Sequence, residues 1–317
     1  MDMNSKLSNE IKAEARNLGF FACGIVRAET VDEDTANNLR RWLETDGNAD
    51  MAYIDNYTDK RLDPRLLMDG LKSIVCVALN YAPAKHLPEG EYQLAAYALG
   101  HDYHEIVKSK LRQLAAKIGV IKYRAFCDSA PVLERYWAER AGLGWTGRNH
   151  QLIIPHAGSM FFLGELFLDI ELEYDKPTQK RCGSCHKCIE CCPTGALSTN
   201  ESKTAFNSFC CLSYQTIENR GMISDIASSQ MGESIYGCDK CQQVCPWNNF
   251  ATPNTTPELQ PKEELLGMTK EKWHNLTEED YKRIFKDSAV KRAKYTGLMR
   301  NIHAAENCKN QNTHGNY

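Results

Sequence analysis

Residues 182–193 read CGSCHKCIECCP, and residues 238–246 read CDKCQQVCP. The first run places Cys182, Cys185, Cys188 and Cys192 at C-x2-C-x2-C-x3-C-P. That is the bacterial ferredoxin spacing for a 4Fe-4S cluster, in which the fourth Cys serves the other cluster of a pair. The second run, Cys238, Cys241 and Cys245, is one ligand short, and Cys211 or its neighbour Cys210 can supply the missing thiolate. Crossing the runs puts Cys182, Cys185, Cys188 and Cys245 on one cluster. Cys192, Cys238 and Cys241 remain for the other, with Cys211 or Cys210. Zinc also takes C-x2-C pairs, but its structural sites come as four-ligand sets with longer gaps. The intact first run and the second C-P run favour iron–sulfur.

The chain has 317 residues, a formal net charge of -3 and 14 cysteines. It has no apolar run of 18 residues, so no transmembrane helix is expected. Its polar start, MDMNSKLSNE, lacks a signal-peptide core, which points to the cytoplasm and to thiols used for metal rather than disulfides. Cys23, Cys76, Cys127 and Cys308 lie outside the runs and read as buried thiols. The negative charge argues against a generally basic nucleic-acid binder. One stretch departs from it: residues 282–300 carry seven Lys and Arg, including Lys291, Arg292 and Arg300, against Asp287 alone. A solvated helix face is the default reading; phosphate contact is the functional one.

Helical periodicity marks residues 5–18, 38–44 and 105–118, and short apolar runs mark strands at 20–26, 73–79, 122–127, 152–154 and 161–172. Their alternation gives an α/β or α+β domain over 1–175. A ferredoxin-like module follows over 176–257. A helical tail occupies 258–317, with helices at 277–285 and 288–305 and a disordered last dozen residues. Two adjacent one-electron carriers imply a relay, so the first 175 residues must hold the acceptor. No G-x-G-x-x-G and no P-loop offers a nucleotide site.

Asp128 ends a strand and opens Asp-Ser-Ala-Pro. Read locally it is a helix cap. A carboxyl at a strand's end is also a place for chemistry; enclosed against an apolar cofactor, its pKa would rise and it could donate a proton. His101-Asp102-Tyr103-His104, just before a helix, reads as a capping Asp with surface histidines. It does not complete the D-x-H-x-x-G corrinoid motif, because position 107 is Val.

Several longer stretches resemble the epoxyqueuosine reductase family: 97–104 (YALGHDYH), 127–135 (CDSAPVLER), 141–149 (AGLGWTGRN), 211–218 (CLSYQTIE) and 236–248 (YGCDKCQQVCPWN). The resemblance runs from about residue 51 to 301. It implies an α+β chain: an N-terminal α/β corrinoid-binding domain, a two-cluster ferredoxin-like module and a truncated helical-repeat tail. It implies an oxidoreductase that reduces epoxyqueuosine to queuosine at the tRNA wobble position, using cob(I)alamin recharged by two 4Fe-4S clusters. It assigns Asp128 as the proton donor and selects Cys211 over Cys210. Ser213 and the Gly237-Cys238-Asp239 turn become corrin contacts, as do Arg61, Tyr97 and the backbone of Leu152, Ile153 and Ile154. It implies a tRNA anticodon stem-loop and an external low-potential electron donor as partners, a monomer, and a salt-sensitive RNA grip because the repeat segment is short. Three other readings fit less of the chain. A corrinoid reductive dehalogenase typically carries a twin-Arg signal, absent here. A bare electron-transfer ferredoxin, like a zinc-based RNA-binding module, leaves Asp128 and 142–149 without a role.

Overall fold

The computed structural model describes residues 3–197 and 206–313, with side chains through 307. The N-terminal part runs α1 (Met3–Asn17), β1 (Ala22–Arg27), α2 (Glu33–Glu44), α3 (Thr58–Leu62), β2 (Ser73–Asn80), β3 (Gln93–Leu94), α4 (Tyr103–Lys117), β4 (Tyr123–Phe126), α5 (Glu134–Arg140), β5 (Trp145–Thr146), β6 (Leu152–Ile153) and β7 (Phe161–Leu168). The cysteine-rich part holds α6 (Lys187–Glu190), α7 (Leu212–Ile217), α8 (Asp225–Gln230), β8 (Ser234–Tyr236) and α9 (Lys240–Gln243). The tail holds α10 (Glu263–Leu266), α11 (Lys270–His274), α12 (Glu278–Ile284) and α13 (Lys294–Thr313).

The main sheet has the order β1-β2-β7-β4, and every pair in it is antiparallel. The chain is therefore α+β, and its N-terminal sheet is not of the parallel α/β kind that strand–helix alternation left open. Strand β2 is an unbroken apolar run because both of its faces are covered. Ile74, Cys76 and Ala78 face Trp137 and Ala138 of α5. Val75, Val77 and Leu79 face Ile11 of α1 and Leu111 and Leu114 of α4. Each of the Val, Leu and Ile side chains among them, fully buried, contributes about 1.5–3 kcal/mol. Gly164 of β7 lets α4 come close: a Cβ there would lie 2.5 Å from Val107 Cγ1.

A third core ties residues 87–99 to β8 and the tail. Strand β3 pairs parallel with β8. Just after β8, Gly237 has φ +71°, and a Cβ would fall 2.5 Å from Ala95 Cβ, so the turn requires glycine. Asn301 of α13 donates to the carbonyls of Thr216 and Ile235 at 2.7 and 2.8 Å.

The tail departs from the sequence expectation twice. Residues 288–305 are not one helix: Ser288 Oγ accepts from the Val290 N–H and starts a tight turn over Ala289–Ala293 around buried Val290. Helix α13 starts afresh at Lys294, whose φ is +61°. It then continues to Thr313, into the stretch expected to be disordered; residues 314–317 of that stretch lie outside the described residues. Much of the basic run is also already used. Arg300 donates to the carbonyls of Gln215 and Asn219, Arg283 pairs with Glu264 and Asp280, and Arg292 grips Glu218. Among the described residues no helix is long and apolar enough to cross a membrane.

Candidate active site

A cavity of about 1580 Å³ lies where α2, the 128–136 turn, the cysteine-rich part and the tail meet. This exceeds the ~300–1,000 Å³ usual for small ligands and leaves room for a large cofactor with a substrate beside it. Of the residues singled out in the sequence, Arg61, Tyr97, Asp128, Ser213 and Cys238 line it. Arg61 is fixed by donating to the carbonyls of Ile54 and Tyr53 at 2.9 and 3.0 Å. Gly237 and Asp239 are not in its wall. Half-buried Asp239 instead accepts from the Ala96 N–H at 2.6 Å, tying α9 to the N-terminal part, and loss of solvent around its carboxyl lifts its pKa to about 6. Leu152, Ile153 and Ile154 are also absent from the wall: they are buried in and just after the β5–β6 hairpin, and the preceding His150 and Gln151 face the cavity instead.

Asp128 is not a helix cap. Helix α5 starts only at Glu134, and Asp128 sits in a left-handed turn with φ +59°. An L-residue is held there only when its surroundings enforce it. Its peptide N–H donates to the Glu134 carboxylate. Its own carboxylate faces the cavity and accepts from Tyr103 Oη at 2.5 Å and meets His104 Nε2 at 3.1 Å. The His104 Nδ1 lies 2.6 Å from Asp102, which also caps α4. Tyr103 is clamped by stacking on Phe162 and His104.

This geometry sets the charges. Burial pushes the Asp128 carboxyl up, but the hydrogen bonds from His104 and Tyr103 and the positive charges of His104 and Arg135 outweigh it and hold it below the ordinary range. Burial likewise pushes the His104 imidazole down, and the bonds and charges of Asp102 and Asp128 lift it to about 9. At neutral pH the proton therefore rests on His104, flanked by two carboxylates. A testable consequence follows from linkage. With the folded pKa above the unfolded one, the stability that His104 adds is complete below about pH 6.5 and is lost as pH rises through about 9. The melting-temperature advantage of wild type over His104→Gln should follow that course in thermal melts across pH. An advantage independent of pH would refute the charged assignment.

The thiols fall into two groups. Cys182, Cys185, Cys188 and Cys245 surround a small cavity capped by Trp247. Burial first, then the neighbouring Cys245, Cys182 and Cys185, push Cys188 up to about 11. Trp145 Nε1 donates to Cys182 Sγ at 3.5 Å. In the second group burial and then Cys211 act on Cys238, raised to about 11, and Cys238 and Cys211 act on Cys241, also raised by burial. Cys192 acts on Cys211. Among the described residues no three His, Cys, Asp or Glu side chains converge on the spacing of a single ion. Two sets of crowded thiols, each spread around a wider space, match the donor chemistry of iron–sulfur clusters. Cys76 and Cys127 are buried as expected, whereas Cys23 is only half-buried; the Cys308 side chain lies outside those described.

Sequence reasoning underread the tetrad 101–104. Asp102 caps α4 and His101 is exposed, as expected, but Tyr103 and His104 are also the immediate partners of Asp128. The partnership spans more than twenty residues, so no local rule marks it.

Fold and site together define an iron–sulfur oxidoreductase with a large cofactor cavity between its electron-carrying module and an acid–imidazole pair. Comparison with known proteins makes this specific. A family model described as "Epoxyqueuosine reductase QueG, DUF1730" matches residues 61–129, and one described as a 4Fe-4S double cluster binding domain matches 181–248. The epoxyqueuosine reductase of Cellulophaga algicola is 44% identical over 306 residues, covering 95% of this chain and 99% of that one. That of Escherichia coli is 35% identical over 316 residues, covering 96% and 82%. The crystal structure of an epoxyqueuosine reductase with an epoxyqueuosine-modified tRNA-Tyr stem loop superposes with a TM-score of 0.87 at 28% identity, covering 95% of this chain and 80% of that one. A Bacillus subtilis epoxyqueuosine reductase, described with its catalytic aspartate loop swung out of the active site, gives 0.85 at 28%, covering 95% and 81%. The chain belongs to the epoxyqueuosine reductase family.

Proposed function

We propose that this chain reduces epoxyqueuosine to queuosine in a tRNA anticodon stem-loop, with the modified base entering the cavity beside Asp128. The observation that carries this reading is the Asp128–His104–Tyr103 cluster facing a cavity whose wall also contains cluster-type thiols. Cys182, Cys185, Cys188 and Cys245 would hold one 4Fe-4S cluster, and Cys192, Cys211, Cys238 and Cys241 the other. The cavity wall with Arg61, Tyr97 and Ser213 would hold cobalamin. When bound, these groups supply electrons one at a time and a strong reducing nucleophile.

The chain's own residues handle the proton and the substrate. Removing an epoxide oxygen to leave an alkene consumes two electrons and two protons and releases water. The oxygen is a poor leaving group until protonated. Asp128 delivers that proton at its carboxylate, and His104, its imidazolium 3.1 Å away, refills it. Tyr103 stays a neutral phenol, because burial and the Asp128 charge raise its pKa, and so it fixes the carboxylate's orientation. A filled cavity excludes water, which favours the neutral acid–imidazole form over the separated charges.

Lys291 and Arg292 stand at the tail side of the cavity, and Arg292 is already committed to Glu218. Lys291, whose ammonium donates to the Lys286 carbonyl rather than to a carboxylate, is the better candidate for a phosphate contact. Stem-loop affinity should weaken at least ~10-fold between about 50 and 200 mM salt, and Lys291→Gln should reduce the log–log salt slope by about 1. A flat salt response in filter-binding titrations would count against RNA binding through phosphates. The deciding experiment is anaerobic reconstitution with iron, sulfide, cobalamin and a low-potential donor, followed by mass analysis of epoxyqueuosine-bearing tRNA. Loss of one oxygen from the modified nucleoside supports the reading; an unchanged nucleoside in a fully loaded protein rejects it.

A further inference from the structure

The central strand β7 reads FFLGELFL, and Glu165 is its one charged residue. It is 0% exposed, and neither carboxyl oxygen has a hydrogen-bond partner among the described residues. Strand alternation fixes where it points. Leu163 and Phe167, two residues to either side, pack in the layer of Trp137 and Ala138 of α5. Glu165 shares that face and pairs across the sheet with Phe126, the last residue of β4, and with Cys76 of β2. The group that lies against it is the carboxyl of Glu134, first residue of α5. Glu134 in turn accepts the peptide N–H of Asp128.

Two carboxyl groups meeting in an apolar layer, with no donor between them, cannot both be ionised at acceptable cost. A proton held between them removes that cost. It turns an orphaned Glu165 into a donor to Glu134 and leaves a Glu134 oxygen free for the Asp128 N–H. That bond bridges the two ends of the turn that carries Asp128 in its left-handed conformation.

We propose that Glu134 and Glu165 form a proton-sharing carboxyl pair that latches the Asp128 turn in its working conformation. Both are positioning residues, and the idea rests on the reading of Asp128 as the group that delivers the proton. The titratable and charged groups facing the pair are Cys76 from β2, Cys127 and Asp128 from the end of β4, His104 from α4 and Arg135 from α5. Burial and then the Asp128 charge push Glu134 up to about 8, and burial with Glu134 raises Glu165 well above the ordinary range. For carboxyls raised on folding, the stability held below about pH 4.3 is lost as pH rises through the folded values.

Two measurements on the reconstituted full chain test this. In hydrogen exchange, Glu134→Ala should deprotect the amide of Asp128, while Glu134→Gln, which keeps an acceptor, should preserve protection. Turnover should follow: about 100-fold lower kcat in E134A with KM for the stem-loop unchanged, and near-normal kcat in E134Q. In thermal melts, Glu165→Gln keeps a donor but cannot ionise, so its melting temperature should fall less than wild type's as pH rises from about 6 to 9. Unchanged Asp128 amide protection in E134A, or an E165Q melting curve parallel to wild type's across pH, overturns the latch. Failure of the Asp128 reading looks different: Asp128→Asn would turn over normally while E134A still lost amide protection.

Discussion

Asp128→Asn should lower turnover by about 100- to 10,000-fold while leaving the iron, sulfide and cobalamin content of the reconstituted protein unchanged. The amide preserves the shape of the side chain and still accepts from Tyr103. It has no acidic proton to give, and it removes the negative charge that helps keep His104 protonated. The proton store and the delivery group are thus lost together, although only one residue changes. Because Asp128 faces the cavity and supports no apolar core, the fold should survive. Single-turnover conversion of epoxyqueuosine-bearing RNA gives the rate, and the visible spectra of the bound groups verify loading. A variant that converts substrate at the wild-type rate would remove Asp128 from the mechanism.

The second large effect separates two adjacent cysteines. Cys211→Ser should reduce iron and sulfide from about eight to about four of each per chain, and Cys210→Ser should leave them near eight. Cys211 is the N-cap residue of α7, and its burial, which raises the thiol's pKa, is partly offset by the backbone of Tyr214 and Ser213. Its thiol acts on both Cys238 and Cys241. Cys210 is half-buried and feels only Cys192 besides its own burial, which raises it. With one cluster missing the electron path to the cavity is cut, so C211S should also lose turnover. Equal iron loss in the two variants, or loss in C210S alone, would overturn the assignment of Cys211.

What the sequence made legible follows from how local each signal is. The cysteine runs were readable because cluster geometry demands short, fixed spacings along the chain. Strand β2 and helix α4 were readable because their periodicities are complete within one element. The turn at Asp128 was misread for the same reason that caps are usually easy. Asp-Ser-Ala-Pro satisfies a local rule, but its carboxylate is claimed by Tyr103 and His104 from a distant segment. Ser213 and Tyr97 line the cavity wall, whereas Asp239 is drawn away by the backbone of Ala96. Glu165 did leave a signal. A single acid inside an otherwise apolar strand is costly enough to require a reason, and that reason lies one layer away on α5.

The crossed grouping of the thiols bears on how the protein is made. Cys245 gathers with the first run, and Cys192 with Cys211, Cys238 and Cys241. During synthesis the four thiols of the first run emerge early, yet neither set is complete until residues near 245 have left the ribosome and folded back. Metal loading then cannot proceed run by run along the nascent chain. It becomes a late step shared by both sets, and a chain interrupted before residue 241 would be left with neither site whole.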